Sequence, residues 1–291
     1  MPSILVTENW RFTLLVPDVI RIEPSSACNI RCVHCPTGQG YYKGNIMSED
    51  TFNIIMDNLK DNVPRVVVMY HGGEPLLCKN IWDWVARLKH LGVKKVKTVT
   101  NGTLMDIESV KRIITCGLDE IEISLDGESK EENEAIRQGS NTDQVIENVA
   151  RLVDIKYGLG SDTPDIYITN TQFSVLRQLV PGIPEYLKEA FSVAVNYKIA
   201  QAITWPGLHG GGFQPTTSIV DGNCPHLNET MTIRANGDVV ACCYDITSGY
   251  VLGNVISESL ENIRNGKRCK RVYDGLKNVK PVKICKGCVN E

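Results

Sequence analysis

Cys28-Asn29-Ile30-Arg31-Cys32-Val33-His34-Cys35 is a C-x3-C-x2-C run just behind a short apolar stretch at 19–23. Three thiolates on one tight loop hold three corners of a cubane iron–sulfur cluster and leave the fourth iron without a protein ligand. An open iron marks a catalytic cluster, whereas a sealed electron-transfer cluster normally has four cysteine ligands. Structural zinc is the alternative, but it takes four ligands, usually in C-x2-C pairs. The nearby fourth candidate, His34, is wedged between two of the cysteines and poorly placed to chelate with them. An iron–sulfur cluster is therefore the expectation, and motifs downstream agree with it.

The chain has 291 residues, enough for one barrel-sized domain and a small appendage. Its 42% hydrophobic and 22% charged content is that of a soluble globular protein. No apolar run reaches the roughly eighteen residues of a membrane span, and the N-terminus lacks the basic start and apolar stretch of a signal peptide. A cytoplasmic location without membrane attachment is expected. In that reducing compartment the eleven cysteines read as metal ligands before disulfides. Residues 264–286 carry nine basic side chains against Asp274 alone, within a chain of net charge −3. This is either a solvated positive face or an attractor for an anionic substrate, a flavodoxin- or ferredoxin-like reductant, or a cluster. Nucleic-acid binding is not expected, because the remainder is acidic and no aromatic-studded basic groove is legible.

Strands and helices alternate along the first two hundred residues, the signature of an α/β fold with a parallel sheet. Strands are expected at 19–23, 65–70, 97–100, 120–125, 165–170 and 195–200. Helices are expected at 49–59 behind Ser48, at 81–91 before Gly92, and at 107–116, 143–155 and 184–191. Six such repeats make a partial (β/α)6 TIM-like barrel over residues 1–203, with its chemistry at the C-terminal strand ends. Residues 204–223 have no periodicity and read as a connecting loop over the barrel mouth, with Trp205, His209 and Phe213 as candidate substrate contacts. A β-hairpin around Ala235-Asn236-Gly237 and a helix at 259–265 follow, in a small unit spanning 224–291.

The phrase Ser26-Ala27-Cys28-Asn29-Ile30-Arg31-Cys32-Val33-His34-Cys35-Pro36 resembles the radical S-adenosylmethionine (SAM) superfamily, in its branch with a C-terminal auxiliary cluster. The same partial barrel is implied by that resemblance. It also implies that the open iron of a 4Fe–4S cluster chelates SAM, and that one electron splits SAM to methionine and a 5′-deoxyadenosyl radical. His71-Gly72-Gly73-Glu74-Pro75, behind the second strand, is similar to the family's site for the SAM amino group. Ser124 and Asp126, at the end of the fourth strand, stand where the family contacts the ribose. Arg137 resembles the basic residue that pairs with the SAM carboxylate. Asn170 and Gln201 are candidate SAM or substrate contacts by position, and Thr100-Asn101-Gly102 matches a further signature whose part is expected in shaping a turn.

Cys224, Cys242, Cys285 and Cys288 form a second constellation in which a hairpin and a C-x2-C knuckle bring four thiolates together. Spacing alone permits zinc as readily as iron. Resemblance to the twitch domain, a shortened SPASM domain, implies a single auxiliary 4Fe–4S cluster. Cys242 and the adjacent Cys243 both compete for the second ligand position, and the interval from Cys224 fits the twitch pattern with Cys242. Cys243 is then free, either packed or a hydrogen-atom donor as in radical epimerases. Cys78, Cys116 and Cys269 are left over as well, and Cys78 and Cys116 are expected to be packing residues.

Three reactions fit. The first oxidises a hydroxyl-bearing carbon of a sugar or cyclitol, with the auxiliary cluster accepting the electron. The second is epimerisation with Cys243 as hydrogen donor. The third is maturation of a ribosomally made peptide, disfavoured because only 27 residues precede the motif, too few for a peptide-recognition domain. A ferredoxin-like carrier is the alternative outside enzymes, and it leaves the three-cysteine loop, the barrel and the Gly-Gly-Glu turn unexplained.

Overall fold

The computed structural model describes residues 17–41, 43–173, 182–191, 194–204, 214–215, 219, 222–286 and 288. Trp205, His209 and Phe213 lie outside them, as does the side chain of Gln201. Six parallel strands lie side by side in chain order: β1 (Val19–Ile22), β2 (Val66–Val68), β3 (Lys95–Thr100), β4 (Glu120–Ser124), β5 (Asp165–Gln172) and β6 (Asn196–Gln201). Between them run α1 (Glu49–Leu59), α2 (Ile81–Leu91), α3 (Ile107–Thr115), α4 (Lys130–Ile136), α5 (Thr142–Gly158) and α6 (Glu185–Phe191). The Ser48 hydroxyl accepts from Thr51 N at 3.1 Å to start α1. Gly92, at φ 105°, ends α2 in a left-handed turn that a side chain would strain.

The two faces of this sheet differ in chemistry. Ile20, Ile22, Val67, Val96, Ile121, Ile123 and Ile168 face the helices, each without exposed surface. Burying each isoleucine contributes about 2 kcal/mol. Alternate residues face the barrel interior, where the register aligns Arg21, Val68, Lys97 and Glu120 in one row. Lys198 reaches both Glu120 and Glu122, at 2.6 and 2.9 Å, and Lys97 lies 3.1 Å from Glu122. Burial alone raises the Glu120 carboxyl, but Lys198 and Lys95 pull it down to about 2. These interior lysines and glutamates thus form a closed ionic network rather than an apolar plug.

The C-terminal strands β7 (Thr230–Ile233), β8 (Asp238–Val240) and β9 (Val251–Asn254) extend the same sheet, because β7 pairs in parallel with β1. The hairpin read from Ala235-Asn236-Gly237 is present, and its edge partner is the first barrel strand. Three helices accompany it: α7 (Pro225–Glu229), α8 (Leu260–Arg264) and α9 (Lys267–Lys277). α7 is new relative to the sequence reading, as is α4 in the barrel, and so is α9. It buries Cys269, Val272 and Leu276 on one side and exposes its basic residues on the other. No helix among the described residues is long and apolar enough to cross a membrane.

Candidate active site

The loop bearing Cys28, Cys32 and Cys35 is clamped from two sides. Glu74 N donates to Ala27 O at 2.8 Å, and Asn101 Nδ2 reaches Asn29 Oδ1 at 2.9 Å. A Cβ on Gly73 would collide with the backbone of residues 25–27, coming within 2.6 Å of Ser25 O. This glycine lets the turn after β2 lie against the cysteine loop, a tighter role than the ligand approach expected from sequence. Beside the loop, Arg31–Cys32 pairs antiparallel with Arg137–Gln138. Two thiols receive N–H groups: Asn101 Nδ2 on Cys28 Sγ and Arg137 Nη1 on Cys32 Sγ, each at 3.9 Å. Burial pushes the Cys32 thiol up to about 12, Arg137 offsets part of that, and Cys35 and Cys28 raise it further. Cys28 is raised too, first by burial and then by Glu74 and Cys35. Three mutually sensed thiols, two of them already facing N–H donors, suit a cluster whose sulfur atoms need such donors.

The residues expected at SAM also bond to one another and to neighbouring turns. Both Glu74 oxygens are occupied: Oε1 accepts from Leu76 N at 3.0 Å and Thr100 Oγ1 at 2.7 Å, and Oε2 from Asn101 N at 2.8 Å. Glu74 thereby joins the turns after β2 and β3. Asp126 and Arg137 pair with each other, Oδ2 to Nε at 2.7 Å. Asp126 Oδ1 also accepts from Thr171 N at 2.9 Å. Arg137 is buried rather than on the surface, held between Asp126 and Cys32. Asn170 donates to Leu125 O and Gly127 O at 2.8 and 2.7 Å, shaping the turn after β4, while its buried Oδ1 has no partner. Ser124, Asn170 Oδ1 and the Gly73 backbone remain candidates for ligand contact, while the Gly72 N–H is engaged by Glu23. Asn101 was read as a turn former, and its contact with Cys28 is a tertiary event no local pattern encodes.

The second constellation converges on one small cavity under α9. Cys224, Cys242, Cys285 and Cys288 line it, with Val272 and Leu276 from α9. Burial raises Cys285 to about 12, and Cys224 and Cys288 add to the rise. Four thiols in an apolar cavity are a donor set suited to a fully ligated cluster. Cys243 does not line it. Its Sγ lies 3.5 Å from His226 Nδ1 instead. Cys242 first, then His226 and Arg21, hold the Cys243 thiol down at about 4 against its burial.

Glu23, His71 and Arg234 join the two constellations, and none was singled out as a site residue in the sequence. Glu23 Oε1 accepts from Gly72 N at 2.9 Å and faces His71 Nδ1 at 3.2 Å. Oε2 accepts from Arg234 Nε at 2.8 Å and Ala235 N at 2.9 Å. The other His71 nitrogen lies 2.9 Å from Cys243 O. One carboxylate thus ties the Gly-Gly-Glu turn to the hairpin that carries Cys242.

The radical SAM superfamily model matches residues 22–168, and the model of the SPASM iron–sulfur cluster-binding domain matches residues 224–289. The chain is 33% identical to GTP 3′,8-cyclase of Limosilactobacillus fermentum over 46% of its length, and spans only 41% of that relative. With mycofactocin maturase MftC of Mycolicibacterium smegmatis it shares 24% identity over 97% of this chain and 78% of that one. The fold superposes on the crystal structure of BtrN in complex with AdoMet and 2-DOIA, with TM-score 0.59, 16% identity and 94% of both chains covered. The superfamily match takes in half of the chain, from the end of β1 into β5, and this protein accordingly belongs to the radical SAM superfamily, with SAM, a SAM-binding 4Fe–4S cluster and an auxiliary 4Fe–4S cluster as its cofactors.

Proposed function

We propose that this enzyme is a radical SAM dehydrogenase that oxidises a hydroxyl-bearing carbon of a sugar- or cyclitol-like substrate. Cys28, Cys32 and Cys35 hold the SAM-binding cluster, and Cys224, Cys242, Cys285 and Cys288 hold the auxiliary one. Bound there, the cofactors supply a 5′-deoxyadenosyl radical and an acceptor for the substrate electron. The observation that carries the reading is the four-thiol cavity. A closed shell of cysteines suits an outer-sphere electron acceptor, because no ligand position is left for substrate. The protein's own residues hold geometry: Glu74 fixes two strand-end turns, Asn170 shapes the third, and Arg137 donates to Cys32. The shared fold with BtrN, whose structure was solved in complex with AdoMet and 2-DOIA, agrees with this reading. Eight basic residues from Lys267 to Lys286 are exposed around the auxiliary site, which supports docking of an acidic flavodoxin- or ferredoxin-like reductant.

Reconstituted enzyme incubated with candidate sugars in deuterated water tests the reaction. Product lighter by two hydrogens is expected. Solvent deuterium in a recovered isomer would instead mean epimerisation. The near-full-length match to a mycofactocin maturase favours a second reading, peptide maturation, tested by the same incubation with precursor peptides.

Two substitutions separate the neighbouring cysteines. Cys242→Ala should remove the auxiliary iron and sulfide, taking the total from about eight of each per chain to about four. Cys243→Ala should keep all of it and leave product formation within about threefold, because the Cys243 side chain lies outside the four-cysteine cavity, against His226. Retained 5′-deoxyadenosine with no inverted product in Cys243→Ala would replace oxidation by epimerisation. Zinc with four iron in the parent enzyme would remove the proposed electron acceptor.

A further inference from the structure

Arg21 is a charged side chain inside the barrel that the site described above does not use. It is the third residue of β1, and its neighbours Ile20 and Ile22 are fully buried against the helices. Alternation along the strand therefore turns Arg21 toward the barrel interior. Val68 and Thr232 flank it in register, and neither carries charge. Its guanidinium lies 4.7 Å over the Tyr70 ring, and Nη1 donates to Tyr70 O at 3.5 Å, the outer limit of a hydrogen bond. Nε is buried and has no hydrogen-bond partner.

The other interior charges are matched. Arg137 has Asp126, Arg234 has Glu23, and Lys97 and Lys198 share Glu120 and Glu122. Among the described residues no carboxylate pairs with Arg21. Arg21 is half-buried with no carboxylate against it, and Cys243 is the group of opposite sign nearest on the auxiliary side, so the face of the guanidinium toward the barrel interior is open to an anion that enters there. Arginine is the residue suited to that task, since its planar fork meets two oxygens of a carboxylate or phosphoryl group at once. The position is also suitable. β1 leads directly into the cysteine loop, Tyr70 immediately precedes the Gly-Gly-Glu turn, and Cys243 lies across from Arg21 on the auxiliary side.

We propose that Arg21 anchors a carboxylate or phosphoryl oxyanion of the substrate within the barrel mouth. The proposal rests on the barrel mouth being the substrate site, and it narrows the substrate class to anionic molecules. Arg21 is then a binding residue that sets which molecules are held between the two cluster sites.

Thermal unfolding of the reconstituted, SAM-bound holoenzyme tests this with two probes, inorganic phosphate and acetate, against chloride at constant ionic strength. One of the two should raise Tm by about 2–4 °C near ten times its Kd, and which one does so assigns the oxyanion. Arg21→Gln should abolish the rise. Arg21→Lys, which keeps the charge and protects the fold, should weaken the probe about tenfold, because the two-pronged contact is lost. Iron content and SAM affinity should match the parent in both variants. Equal stabilisation by chloride and both probes would overturn the proposal, as would an unchanged rise in the two variants. A shifted auxiliary-cluster potential in Arg21→Gln with the probe still bound would make Arg21 a cluster counter-charge and also overturn it. The readout is binding rather than turnover, so failure of the dehydrogenase reading would leave this result standing, and the converse holds.

Discussion

Replacing Cys28, Cys32 and Cys35 together by alanine should abolish 5′-deoxyadenosine formation, a loss of more than about a thousandfold, while iron falls from about eight to about four per chain. The reasoning is local. The three thiols sit on one loop and sense one another electrostatically, so no partial ligand set survives the substitution. The four-thiol cavity is built from α7, β8 and the C-terminal knuckle, which share no residue with that loop. Its iron should therefore remain. Product analysis after dithionite reduction, with iron and sulfide assays on the same sample, checks both halves. Reductive SAM cleavage by the triple variant would sink the assignment of the site. The two N–H donors predict a graded effect beside this complete one. Asn101→Ala removes a donor from Cys28, so it should shift the cluster's reduction potential without removing iron.

The fold was legible wherever it depended on periodicity. Ser48 capping α1, Gly92 ending α2 and the β-branched strands each follow from local preferences that tertiary packing did not override. The cysteine constellations were legible too, because thiolates at fixed spacing carry their chemistry in the sequence. What escaped was contact at long range. Nothing near Glu23 announces that it meets Arg234, more than two hundred residues away. Glu74 and Asp126 stand at strand ends, and both carboxylates also bind neighbouring turns or Arg137. A strand-end carboxylate has two occupations open to it, and the sequence states only its position. Gly73 was read as clearance for a ligand when the crowding partner is another loop of the same chain. In α9 Cys269, Val272 and Leu276 have helical spacing, but the dense lysines and arginines between them mask that period.

The largest effect on stability should come from Glu23→Gln, at about 3–5 kcal/mol. Glu23 is fully buried and meets Gly72 N, His71, Arg234 Nε and Ala235 N, so its charge is matched on every side. Burial alone would raise its carboxyl, but His71 first and Arg234 second bring it down from 4.5 to about 2. A folded-state value below the unfolded one means that the contribution is fully present above about pH 4.5. It is lost as the pH falls toward 2, and its full size is about 3 kcal/mol. The neutral amide abandons that contribution and leaves Arg234 buried without its counter-charge, which is why the cost exceeds an ordinary hydrogen-bond loss. Urea unfolding at neutral pH measures it, and a cycle with Arg234→Met isolates the pair. The double variant should recover part of the loss through a coupling of more than about 1 kcal/mol. The same substitution frees Gly72 and His71 from the β7 edge, so SAM affinity should fall about tenfold even where the protein stays folded. A variant within about 0.5 kcal/mol of the parent, binding SAM equally well, would mean that the hairpin and the Gly-Gly-Glu turn are held together by something other than this carboxylate.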